Sequence, residues 1–309
     1  MRILRDLERT GRRSGKSVVT IGAFDGIHVG HRRILEEVAI LARGLGVTGV
    51  AVTFEPHPVS VIRPDRAPLM LTTLREKLAL IAEAGLDQTV ILRFTSTLAG
   101  RRAEWFVRRL LVAKLNMARL VIGYDFHFGR GREGNARYLE ALGEEIGFGV
   151  DIVPPVDFRG RPVSSTRVRT SLARGEVRAA SEMLGRMYSL AGRVVKGEGR
   201  GRLLAFPTAN LELEEAGKML PRFGVYAVRV KLGRACYPGA LYIGTKPTYG
   251  GGRPAVEVYI MGLTANLYGR KLEVFFVDRI RGERQFKDQT SLRRAIAADV
   301  ERAAGLLQN

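Results

Sequence analysis

Two different hydrophobic rhythms meet near residue 185, and that change limits the fold more than any other feature of the chain. Before it, strand-like runs alternate with helical patterns. Segments 17–22, 47–54, 88–94, 118–123 and 149–153 read as strands. Segment 31–43 places Ile34, Leu35, Val38 and Leu41 on one helical face. Thr73 followed by Glu76 predicts a capping box for a helix through Ala84. Further helices are expected over 103–115, 135–147, 165–173 and 177–184. This alternation predicts a parallel sheet with helices on both faces. Ligands bind such sheets at the carboxyl ends of strands, where the strand order reverses. After Gly185 the helical period stops. Strand-like runs at 188–195, 225–232, 237–243, 255–260 and 272–277, punctuated by Gly and Pro, predict an antiparallel barrel or sandwich. A helix from about 290 to 307, apolar at Leu292, Ile296, Val300 and Leu307, closes it. The domain boundary is expected near 185–188.

A length of 309 residues suits two such domains. No apolar run is long enough to span a bilayer, and the charged start MRILRDLERTGRRSGK has no signal-peptide character. A lone cysteine, Cys236, cannot form an internal disulfide or a cysteine zinc site, so a cytoplasmic setting is expected. The net charge of +19 points to anionic partners. It divides almost evenly, +10 over 1–186 and +9 over 187–309, and forms no basic tail. Arginine supplies 41 of the 50 positive charges. With one Trp and charge spread everywhere, phosphorylated small molecules fit better than nucleic acid, and no nucleic-acid or membrane partner is expected.

The strongest local pattern is GAFDGIHVGH over 22–31, which leaves a strand and opens a helix. A helix N-terminus offers free N–H groups and a favourable dipole to phosphate. Gly22 and Gly26 let backbone approach a ligand, and His28 and His31 add donors. The alternative is a pair of structural histidines on a tight turn. TFEPHP over 53–58 and GYDFHFG over 123–129 follow two other strands. SSTRVR over 164–169 places hydroxyls and a guanidinium at a helix start, where an ordinary N-cap cluster is the alternative.

In the second half, a Gly-rich basic loop runs from Gly199 through Gly201 and Arg202 to FPTANL over 206–211. Thr208 and Asn210, two apart in a strand, share one face and offer hard oxygens that suit Mg²⁺. Glu257 in VEVY is a candidate base, or else a strand glutamate paired with an arginine.

Taken together these motifs resemble the bacterial bifunctional riboflavin kinase/FAD synthetase family, from about Val18 to Ala304. GIHVGH is similar to the HxGH motif of nucleotidyltransferases, SSTRVR to the family's SSTxIR with Val168 for Ile, and GRLLAFPTANL to the kinase motif GxxxGFPTANL. IGTKPTY over 243–249, Tyr268-Gly269 and Arg281-Gly-Glu283 with Phe286 also match. The resemblance implies a Rossmann-like doubly wound nucleotidyltransferase domain over 1–186. It also implies an antiparallel β-barrel kinase domain with a closing helix over 187–309. By the same resemblance the second domain phosphorylates riboflavin to FMN with ATP and Mg²⁺. The first then transfers AMP from ATP to FMN, giving FAD and pyrophosphate.

The residue roles follow the motifs. Gly22, Phe24, Asp25, Gly26, His28, His31, Ser164, Ser165, Thr166 and Arg169 would bind ATP for adenylyl transfer, the two histidines acting on the triphosphate. Phe54, His57, Pro58, Asp125 and Phe128 would border the flavin. Gly201, Arg202, Phe206 and Pro207 would form the kinase phosphate loop, Thr208 and Asn210 would hold Mg²⁺, and Glu257 would be the base. Three departures stand out: Ala205 for the usual Gly, Tyr259 for the common His, and Met261-Gly262-Leu263 for an acidic-aromatic pair. They bear on the kinase half and leave open an enzyme with one working half; the basic charge leaves open a nucleic-acid binder on an adenylyltransferase-like scaffold.

Overall fold

The structure, a computed structural model, describes residues 1–5, 7, 15–197, 206–215, 217–245 and 254–308. It packs as two compact units, Met1–Ser165 and Thr166–Asn309.

The first unit is built on six parallel strands: β1 (Arg2–Arg5), β2 (Ser17–Ile21), β3 (Thr48–Glu55), β4 (Gln88–Arg93), β5 (Met117–Gly123) and β6 (Gly149–Val153). Their order is β1-β4-β3-β2-β5-β6. The chain steps from β2 through β3 to β4 in one direction, then returns to place β5 on the other side of β2. The order therefore reverses between β2 and β5, and in sheets of this kind ligands bind at such a reversal, outside the carboxyl ends of the strands. Strand β2 is buried at every residue. Its alternate side chains feed two cores, Val18 joining one and Val19 and Ile21 the other. Each fully buried valine of this kind contributes about 1.5–3 kcal/mol of burial.

The helices are α1 (Val29–Leu45), α2 (Pro58–Ile62), α3 (Leu74–Glu83), α4 (Ser96–Ala99), α5 (Ala103–Phe106) and α6 (Ala136–Ile146). The expected capping box on α3 is present: Thr73 and Glu76 each accept from the other's backbone N–H. Strand β1 was not expected, because its RILR sequence is charged at both ends. It pairs with β4 at the sheet edge, where charged side chains are tolerated. The helix expected over 103–115 is α5 continued by a π-helical stretch, Val107–Val112. A short hairpin, β7 (Asp157–Phe158) with β8 (Arg161–Pro162), follows β6.

The second unit contains α7 (Ser165–Arg174, from Thr166), α8 (Val177–Leu184) and six antiparallel strands. These are β9 (Ser189–Val195), β10 (Thr208–Leu213), β11 (Gly224–Leu232), β12 (Ala235–Gly244), β13 (Ala255–Ile260) and β14 (Lys271–Gly282). They close a barrel in the order β10-β13-β12-β11-β14-β9. The barrel, rather than the sandwich, is the observed form. Helix α9 (Gln289–Leu307) packs on β11, β12 and β14. Its most buried residues are Asp299, Ala303 and Leu307. The expected stripe through Leu292, Ile296 and Val300 is only partly buried. Asp299 is tolerated there because Arg281 of β14 donates to both its carboxylate oxygens at 2.7–3.1 Å.

The division between units precedes the expected boundary at 186/187. Helices α7 and α8 pack with the barrel: the Arg222 N–H donates to the Leu172 carbonyl at 2.9 Å, and Arg178 pairs with Asp278 at 3.0 Å. Among the described residues no helix is long and apolar enough to cross a membrane.

Candidate active sites

The loop 22–28 leaves β2 at the reversal point and runs into α1. Three non-helical conformations shape it. Gly26 has φ of 83°, and Phe24 and Ile27, both buried, have φ of 48° and 36°. A non-glycine residue held there costs on the order of 1–3 kcal/mol, so its surroundings must impose it. The Asp25 carboxylate does much of this. It is buried and accepts from the N–H groups of Leu71 and Thr72 and the Thr72 hydroxyl, at 3.0–3.2 Å. The Thr72 hydroxyl oxygen accepts in turn from the Gly26 N–H at 3.0 Å. The Ser165 hydroxyl donates to the Asp25 carbonyl at 2.8 Å. One buried aspartate thus ties together the loop after β2, the entry to α3 and Ser165 at the end of the first unit.

His28 caps α1, its Nδ1 accepting from the His31 N–H at 3.3 Å. With Nδ1 so engaged, a neutral His28 carries its proton on Nε2. The two imidazoles stack with centroids 3.8 Å apart, and the Phe24 ring meets His31 edge-on at 5.4 Å. A side chain would crowd the turn at two glycines. A Cβ on Gly22 would lie 3.0 Å from the Phe24 ring, and one on Gly30 would lie 3.2 Å from His28 Nδ1. His31 Nδ1 is out of solvent and has no hydrogen-bond partner. Burial, with a smaller effect from the Lys77 charge, pulls His31 down to about 4. Lys77 itself is 4% exposed on the inward side of α3. Burial lowers its pKa, opposed by Asp25 and Glu55.

The end of β3, the end of α5 and the loops after β4 and β5 contribute to an aromatic cluster. Phe54 lies edge-on to Phe94 and 6.5 Å from Phe106, Phe106 lies 5.9 Å from Phe128, and Phe126 stacks on Phe128 at 5.3 Å. Phe54 and Phe128 are half-buried, so each presents part of a flat apolar face. His57 caps α2, its Nδ1 accepting from the Val59 N–H at 3.2 Å, and Pro58 occupies the first helical position. Asp125 is exposed.

Of the SSTRVR motif, Ser164 and Ser165 fall in the first unit and Thr166 and Arg169 in the second. Val168 is fully buried, which accounts for an aliphatic residue at that motif position.

In the barrel, Thr208 and Asn210 of β10 lie opposite Tyr259 and Glu257 of β13. The Thr208 hydroxyl donates to Glu257 Oε2 at 3.1 Å. Gly197 lies flat against the Asn210 amide, which a Cβ would strike. Tyr242 of β12 lies opposite Glu257 on the other side of β13, and its hydroxyl donates to Glu283 Oε1 at 2.6 Å. The Thr245 N–H and hydroxyl donate to the same oxygen. Burial, and then the Glu283 hydrogen bond, push the Tyr242 phenol up. Phe206 sits edge-on to Tyr259 at 5.4 Å, and Pro207 follows it into β10. Gly201, Arg202 and Ala205 lie outside the described residues. Thr208, Asn210 and Glu257 form a compact oxygen set on one strand pair, of the hard-ligand chemistry that suits Mg²⁺.

Thr72, Lys77 and Tyr242 are additions that motif reading missed. The signal for Lys77 was a charged residue at a core position of a helical repeat, four before Ile81. Tyr242 was readable only from strand register.

Comparison with known proteins gives a consistent pattern. A family model for FAD synthetase matches residues 11–167, and one for riboflavin kinase matches residues 184–307. A bifunctional riboflavin kinase/FMN adenylyltransferase of Escherichia coli K12 is 40% identical over 283 residues, covering 91% of this chain and 90% of its own length. That of Pseudomonas fluorescens is 38% identical, covering 99% and 98%. That of Haemophilus influenzae is 34% identical, covering 98% of each. A crystal structure described as a macrolide-efflux protein from Streptococcus pneumoniae superposes with a TM-score of 0.89 at 30% identity, covering 97% of this chain and 98% of that one.

Proposed function

The chain belongs to the bifunctional riboflavin kinase/FMN adenylyltransferase family, and we propose that its two reactions run at the two sites described above. It phosphorylates riboflavin to FMN with ATP, then transfers AMP from ATP to FMN, giving FAD and pyrophosphate. The observation that supports the assignment of sites is that each half brings several of its motif residues together. The stacked His28–His31 pair stands at the sheet's reversal point, and Thr208, Asn210 and Glu257 converge on one strand pair.

In the adenylyl reaction an FMN phosphate oxygen attacks the α-phosphorus of ATP. The bond from that phosphorus to the bridging oxygen breaks, and pyrophosphate leaves with the electron pair. The nucleophile is already an anion, so positioning and charge stabilisation supply the rate. His28 would offer Nε2–H to the triphosphate, beside the free N–H groups at the start of α1. Gly22 and Gly26 give the backbone room, and Phe24 and Asp25 hold the loop and its histidines in shape. Ser164, Ser165, Thr166 and Arg169 are assigned to the ATP phosphates by the SSTRVR motif. The Phe54–Phe128 cluster, with His57, Pro58 and Asp125 beside it, is assigned to the flavin ring because it offers half-buried aromatic faces.

In the kinase reaction Glu257 takes the proton from the ribityl 5′-hydroxyl as that oxygen attacks the γ-phosphorus of ATP and ADP leaves. A Mg²⁺ held by Thr208 and Asn210 would neutralise phosphate charge. Phe206 and Pro207, with Gly201 and Arg202, are assigned to the phosphate loop. The catalytic halves are taken as 1–186 and 187–309, which keeps the SSTRVR helix with the adenylyltransferase although it packs with the barrel. A cytoplasmic location fits a chain with a single, exposed cysteine.

The test is to incubate the pure protein with riboflavin, ATP and Mg²⁺ and to separate the flavins over time. FMN appearing first and FAD after it is the expected course. FMN accumulating without FAD would remove the His28–His31 assignment. Untouched riboflavin with conversion of added FMN would mean that the kinase half is idle.

A further inference from the structure

Lys77 has no part in the motifs that mark the site, yet its position is unusual. It is 4% exposed, and among the described residues its ammonium forms no ion pair within 4.0 Å. Buried lysines are ordinarily paired, because removing an ammonium from water costs several kcal/mol. Its placement is tightly fixed. It lies one residue past Glu76 of the α3 capping box, and the Leu71 and Thr72 N–H groups just before that box hold Asp25 of the loop after β2. The charged and titratable groups that bear on it are Asp25, Glu55 and His31. The Asp25 carboxylate already accepts from two backbone amides and a hydroxyl, and Glu55 is exposed at the carboxyl end of β3. His31 Nδ1, within reach of the Lys77 charge, is also buried and unpartnered. A buried lysine with no ion pair among the described residues therefore follows directly on the segment that holds Asp25 and Gly26 of the histidine loop, and its charge is felt by a buried, unpartnered ring nitrogen of His31.

We propose that Lys77 is a catalytic residue of the adenylyl transfer, its ammonium taking up the negative charge that builds on the leaving pyrophosphate. The proposal rests on the assignment of ATP to the His28–His31 turn. During transfer the new bond joins an FMN phosphate oxygen to the α-phosphorus. The bond broken joins that phosphorus to the bridging oxygen, and the electron pair goes to pyrophosphate. Lys77 keeps its proton throughout and acts by charge and hydrogen bonding. A preorganised donor in a water-poor site stabilises developing charge strongly.

The decisive variant is Lys77→Met in the full chain, which keeps the length of the side chain and removes its charge. Adenylylation of supplied FMN should fall about a hundredfold in kcat, the usual size for loss of one such donor. The KM for ATP should change far less, riboflavin phosphorylation should be unchanged, and Lys77→Arg should recover part of the rate. FAD formation by Lys77→Met within threefold of the parent would overturn the proposal. His28→Ala separates the two ideas. If it also leaves FAD formation intact, the histidine turn is not the site; if it abolishes it while Lys77→Met does not, only the lysine role is lost. Should Lys77→Met fail to fold, the unaltered protein with ¹⁵N-labelled lysine answers the question. Saturating pyrophosphate should shift the Lys77 Nζ resonance and raise its titration, and a resonance that does not respond would refute the role.

Discussion

The Ser165 hydroxyl donates to the Asp25 carbonyl at 2.8 Å, joining two motifs that lie 140 positions apart in the chain. Through this bond Ser165, the last residue of the first unit, is held on the loop that leads into the His28–His31 turn. A single neutral hydrogen bond contributes about 0.5–1.5 kcal/mol, and 1.4 kcal/mol is tenfold in a binding constant. Ser165→Ala should therefore raise the KM for ATP in FAD formation up to about tenfold and leave riboflavin phosphorylation unchanged. Steady-state kinetics on the two half-reactions, run separately, measure both. Equal effects on the two would mean that the bond supports the whole chain and has no special bearing on the adenylyl site.

Asp25 holds strained backbone in place. Asp25→Asn keeps the shape but replaces one accepting oxygen with a donor facing the Leu71 and Thr72 N–H groups. A lost charged acceptor and an unsatisfied buried donor together cost about 1.5–3 kcal/mol. The first unit should melt several degrees lower and FAD formation should fall sharply, with the kinase reaction as an internal control. Calorimetry that shows no change would mean that the loop is held by other contacts.

Glu257 accepts from Thr208 and stands opposite Asn210 and Tyr242. Glu257→Gln preserves size and hydrogen bonding but cannot take a proton. General base catalysis contributes roughly 10²–10⁴-fold, so FMN formation should drop by that order while added FMN is still converted to FAD. Chromatography of the flavins reads both steps at once. Kinase activity close to that of the parent would assign the base elsewhere.

His31, held down to about 4 against an ordinary 6.5, links stability to pH. Below about 6.5 the unfolded chain takes a proton on this ring that the native ring refuses until about pH 4. Stability of the first unit should therefore fall as the pH drops through that window and be flat above it. Urea unfolding at pH 7.5 and pH 5 gives the slope, and His31→Gln, which cannot titrate, should show less of it. An identical slope in the variant would mean that the ring reaches protons in the native state.

Much of this was legible in order along the chain. The change of period at Gly185 separated a parallel sheet from an antiparallel barrel or sandwich, because the two impose different repeats on buried side chains, and the closed barrel is what the structure shows. The Thr73–Glu76 box and the alternation that puts Thr208 and Asn210 on one face were readable for the same reason: both are set by neighbours a few residues away. Strand β1 was hidden, since an edge strand has little core to bury and its charges obscure the pattern. Of the stripe expected on α9, Leu307 is buried and Val300 packs on the core, while Asp299, paired with Arg281, is buried beside them.

The sequence by itself determined the two fold classes, the order of the motifs and the kinds of side chain available to each reaction. Those are local properties, written in spacing, turn chemistry and residue type. Only the tertiary structure decided that Asp25 clamps two loops, that His28 and His31 stack face to face, that Lys77 lies buried on the inward side of α3, and that Tyr242 and Glu283 stand next to the Glu257 site. Each of these depends on which distant segments the packed core brings together, and on the cost of leaving a polar group buried without a partner. Neither has a signature in the spacing of residues along one chain.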